Sequence, residues 1–99
     1  MYMASVTLAA SGEATHRELD PHLLVDLLWA LAEPGLGIEH MRVATSPGRI
    51  EVVFFSTAPD AHSVAVTGIH LCETAASSAP QLRGWFVVPL AGNEGPGLQ

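Results

Sequence analysis

The sequence predicts an α+β domain with the element order β-α-β-β-α-β. Three observations carry this. Apolar residues alternate with polar ones in short stretches near residues 3–10, 38–45 and 50–55, the period of strands. They recur at helical spacing over residues 21–33 and 60–78. Between these stretches stand Asp, Pro and Gly, the residues that start helices and make turns.

The elements follow in order. Val6 and Leu8 alternate with Ser5 and Thr7, so residues 3–10 form a strand. Residues 11–18 are polar and read as a loop. Asp20-Pro21 then opens a helix: Asp20 accepts from the first unpaired N–H groups, and Pro21 suits the first helical position. Pro34-Gly35 stops it near residue 33. At about 100° per residue, Leu24, Leu27, Leu28 and Leu31 form the core stripe. His22, Asp26 and Glu33 form a narrow polar stripe. Val25, Trp29 and Ala32 make a second apolar strip, too far around for the same sheet to cover. A neighbouring helix or a second subunit has to take it, and Trp is enriched at interfaces.

Residues 38–45 form the second strand, with Met41 and Val43 on one face and His40 and Arg42 on the other. Ser46-Pro47-Gly48-Arg49 is a type II turn signal, Pro presetting the second position and Gly supplying a positive φ at the third. Residues 50–55 return antiparallel as the third strand. Asp60 caps a second helix whose Val64, Gly68, Leu71, Cys72 and Ala75 share a core face, with Ser63, Thr67, His70 and Thr74 opposite. Gly68 costs such a helix about 1 kcal/mol against Ala, and a close backbone approach would be the reason to keep it. Ser77-Ser78-Ala79-Pro80 ends the helix, and residues 85–90 are the last strand. Two βαβ halves around a hairpin make a ferredoxin-like sandwich, a four-stranded antiparallel sheet with two helices on one face. Strand parity puts Val53, Phe55, Trp85 and Val87 on the face left bare. Residues 1–90 form the single domain, and residues 91–99, rich in Gly and without periodicity, read as a flexible tail.

Composition bounds the function. The chain has 99 residues, 48% hydrophobic and 14% charged, with a mean hydropathy of +0.32. That excludes intrinsic disorder. It also implies more apolar surface than a small domain hides by itself, so a homodimer is expected. The net charge is −6, and the four cations are all Arg. So few argue against nucleic acid as a partner. No apolar run reaches the roughly 18 residues of a membrane span, and the first residues lack a signal-peptide pattern, so the expectation is a cytoplasmic protein. One Cys allows no intrachain disulfide and no Cys-based zinc site.

Few residues suggest chemistry. His62 and His70 lie eight apart, about 80° around and 12 Å along a helix, and cannot share one ion. His16 and His22 sit near one loop without a marked third ligand, so no metal is expected. Cys72 lies on the core stripe and reads as a small apolar residue. No Gly-rich phosphate loop, nucleophile elbow or paired-carboxylate signature occurs, so neither a cofactor nor a catalytic set is expected. Among Arg17, Arg42, Arg49 and Arg83, Arg17 in the loop before the first helix is best placed to hold a ligand carboxylate by a two-point fork.

The stretch Asp20-Pro21-His22-Leu23-Leu24-Val25-Asp26-Leu27-Leu28-Trp29-Ala30-Leu31-Ala32-Glu33-Pro34-Gly35-Leu36-Gly37-Ile38-Glu39-His40 resembles an ACT domain. That family reads Asp-Arg-Pro-Gly-Leu-Leu, then a helix ending in a Leu-Ala-Glu type run, then a Gly-x-Asn-Ile strand entry. Here His22 stands for the family's Gly and Gly37 for its Asn. The resemblance implies the same element order and a regulatory module that binds amino acids or other small ligands between paired domains. It places the ligand at Asp20, Pro21, His22, Leu23 and Leu24, with Arg17 reaching in.

Three functions follow. The first is a noncatalytic ACT-like regulatory subunit that dimerises and binds a small anionic ligand at the start of the first helix. The second is a small dimeric α+β-barrel enzyme, a monooxygenase, cyclase or isomerase, with Trp85, Phe55 and His40 in its pocket. The third is a protein–protein adaptor of a biosynthetic or regulatory operon, docking through Val25, Trp29 and Ala32. Val25, Trp29, Ala32, Phe55 and Trp85 are the candidate interface residues.

Overall fold

The computed structural model describes residues 1–12, 14, 19–32, 37–57 and 60–88. Six principal elements follow one another: β1 (Tyr2–Ala10), α1 (Pro21–Leu31), β2 (Ile38–Ser46), β3 (Arg49–Ser56), α2 (Ala61–Ser78) and β4 (Trp85–Val87). The four strands form one sheet in the order β2-β3-β1-β4, every neighbouring pair antiparallel. The expected α+β build is therefore present, with its element order.

Local chemistry fixes the element ends. The Asp20 carboxylate accepts from the His22 backbone N–H at 2.8 Å and caps α1, with Pro21 in the first turn. The Asp60 carboxylate accepts from the Ser63 N–H at 2.7 Å and caps α2. That bond, with the Ser63 hydroxyl beside it, holds the Asp60 carboxyl below the usual carboxylate range. Ser46 pairs with Arg49 across Pro47-Gly48, and Gly48 has φ +75°, as the predicted turn requires. The α1 helix stops two residues short of its expected end, at Leu31, where the Ala32 N–H closes the last turn onto Leu28 and Trp29. A 3-10 turn over Pro80–Leu82 leads into β4. It is a feature that periodicity did not indicate.

All four strands bury the same face. Val6, Leu8, Met41, Ile50, Val52, Phe54 and Trp85 join Leu24 and Leu28 of α1 and Val64, Leu71, Cys72 and Ala75 of α2 in one cluster. The five residues expected on the core face of α2 are its five buried ones. Gly68 earns its place there. A Cβ at this position would meet the Phe54 ring at 2.7 and 2.9 Å and Val6 at 3.3 Å. The helix backbone thus rests on a fully buried Phe ring, which the added methyl of Ala would displace.

The bare face follows from the register. Rows run across β2, β3 and β1 as His40–Phe55–Met3, Arg42–Val53–Ser5, Ala44–Glu51–Thr7 and Ser46–Arg49–Ala9. Val53 and Phe55 lie on this face, as expected. Trp85 and Val87 do not. They pair with Ala10 and Leu8, and Trp85 is 6% exposed in the core. The β4 residue on the bare face is Phe86, 48% exposed. The parity slipped by one because Trp85-Phe86-Val87-Val88 is apolar throughout and carries no alternation. Trp85 is thereby placed away from both the bare face and the pocket expected there. Its indole N–H is buried without a partner among the described residues. No described helix is long and apolar enough to cross a membrane.

Candidate functional site

The predicted site residues separate when placed in the fold. Arg17 lies outside the described residues. Asp20, at the N-terminus of α1, spends its carboxylate on the helix itself. A group of the chain therefore already occupies a donor that an incoming anion would use. Leu24 is buried in the core. Leu23 is one of the more exposed apolar residues of the chain, while Pro21 and His22 line open grooves.

Two grooves flank the start of α1. One, of about 480 Å³, lies against the β2–β3 turn and is lined by Leu19, Asp20, Pro21, Thr45, Ser46 and Pro47. The other, of about 550 Å³, runs between α1 and β2. Its α1 wall is Pro21, His22, Val25 and Asp26, and its β2 wall is His40, Met41, Arg42 and Val43. The second is chemically the richer. Val25, Met41 and Val43 offer apolar wall. His22 is a donor on the α1 wall, whereas His40 and Arg42 border the groove from β2 with their side chains on the bare-face rows, and Arg42 forms no ion pair among the described residues, the one such pair being Arg49–Glu51 at 2.9 Å. Asp26 faces the same space as the acceptor. This arrangement suits a small molecule that carries an anionic group, with or without an amine, on an apolar body. The sequence contained all eight lining residues. Only the packing of α1 beside β2 brings the two walls together.

The second apolar strip of α1 points the same way. Val25 lines the groove, Ala32 packs on the core, and Trp29 remains 40% exposed. Trp29 is thus partly open to solvent. The adjoining β2 is an edge strand of nine residues, whereas the opposite edge, β4, has three.

Other candidates carry less. The His40 ring packs tilted against Phe55, centroids 5.6 Å apart, on the bare face. No group of three or more His, Cys, Asp or Glu among the described residues is arranged to hold a metal. Cys72 is buried, and burial, with the Glu73 charge adding to it, pushes its thiol up to about 12. A thiol held neutral is a poor nucleophile. Cys72 is therefore expected to react with a disulfide reagent only at the rate of global opening. A native-state rate matching that of a free thiol would contradict its placement. Comparisons with protein-family models, with curated proteins and with solved structures found no match.

Proposed function

We propose that this chain is a noncatalytic regulatory module of ACT-like, ferredoxin-like build, working as a homodimer and binding a small anionic ligand in the groove between α1 and β2. The strand order β2-β3-β1-β4 supports the architecture. The single observation that carries the function is the groove itself: His22 and Asp26 stand beside an apolar wall, with Arg42, in no ion pair among the described residues, on the adjoining edge strand. A second copy paired along β2 would roof that groove and cover Val25 and Trp29 together. The resemblance over residues 20–40 points to amino acids as the first ligands to try.

The bare sheet face favours a second reading, a dimeric α+β-barrel enzyme packed sheet on sheet, because Met3 is 61% exposed and Phe86 is half exposed. Such packing would bury the Arg49–Glu51 pair and Arg42 as well, and Arg42 would cost several kcal/mol of desolvation unless the second copy supplied it a partner. Edge pairing leaves all three in water, and is the better-supported arrangement.

Thermal unfolding with a panel of amino acids and small carboxylates tests the proposal. A true ligand at a hundred times its Kd adds about 2.7 kcal/mol, a rise of roughly 10 °C or more for a domain of this size. Silence across the panel would remove the ligand-binding reading. Solution scattering of the assembled protein separates an edge-paired, elongated dimer from a face-to-face one.

A further inference from the structure

We draw no further inference here: the strongest candidate, the bare sheet face around Met3, Phe55 and Phe86, is an unpartnered surface, and nothing in the structure shows what covers it.

Discussion

Gly68→Val is expected to lower the unfolding free energy by about 3 kcal/mol, the largest loss for any single added side chain on α2. The cause is a contact that already has no slack. The Cβ alone would stand 2.7 Å from the Phe54 ring and 3.3 Å from Val6, and Phe54 is wholly buried. The ring is not the free end of a long side chain, so it moves only if its neighbours move. Ala at this position gains about 1 kcal/mol of helix propensity and loses roughly 1–3 kcal/mol to overpacking, a small net loss. Val gains less propensity and adds two methyl groups to the same space. Urea unfolding measures the effect. The mechanism is checked by Phe54→Leu, which costs stability alone but should recover part of it in the Gly68→Val background, a coupling of about 0.5–3 kcal/mol. Independent, additive effects would mean that the helix and ring do not press on each other.

Trp29→Glu is expected to weaken self-association by about 2 kcal/mol, near thirtyfold in the dissociation constant, while leaving the fold intact. Trp29 is 40% exposed, so a carboxylate there meets water in the monomer. It sits on the α1 strip that continues into the groove through Val25, so in an edge-paired dimer it would face the second copy. A buried aromatic anchor contributes far more than a rim contact, and a new like charge near the axis adds repulsion. Sedimentation gives the association constant, and far-UV circular dichroism the fold. Val66→Glu is the control, because Val66 is exposed on α2, away from the β2 edge. A Trp29→Glu protein that associates as strongly as its parent would place the contact elsewhere.

The sequence was most legible where side chains report their own position. In β3 the alternation Arg49-Ile50-Glu51-Val52 sets a phase that carries through the apolar run to Phe55, and the α2 core face came out complete because Gly68 and Cys72 fit the same stripe as Val64 and Leu71. The caps at Asp20 and Asp60 were legible because capping is a matter of a few adjacent atoms. β4 was not, because four apolar residues in a row have no phase of their own. Its phase follows from pairing with Leu8 and Ala10, a long-range fact. The candidate site was half legible. Pro21 and His22 were singled out at the helix start, but Arg42 and Asp26 gain meaning only from α1 lying beside β2. Local patterning cannot reveal that an N-cap carboxylate already uses a donor an anion would want.

The unequal sheet margins bear on how far assembly can run. A protein with two long, exposed strands at opposite margins can join head to tail, each new copy offering the next a fresh strand, and such contacts grow into filaments unless a rotation closes them. Here β2 is three times the length of β4 among the described residues. A copy arriving at β4 finds little backbone to hold, whereas two β2 strands satisfy each other and leave nothing further to extend. In the edge-paired arrangement proposed above, this asymmetry would make a closed pair the endpoint of growth and keep an apolar, weakly charged chain from polymerising.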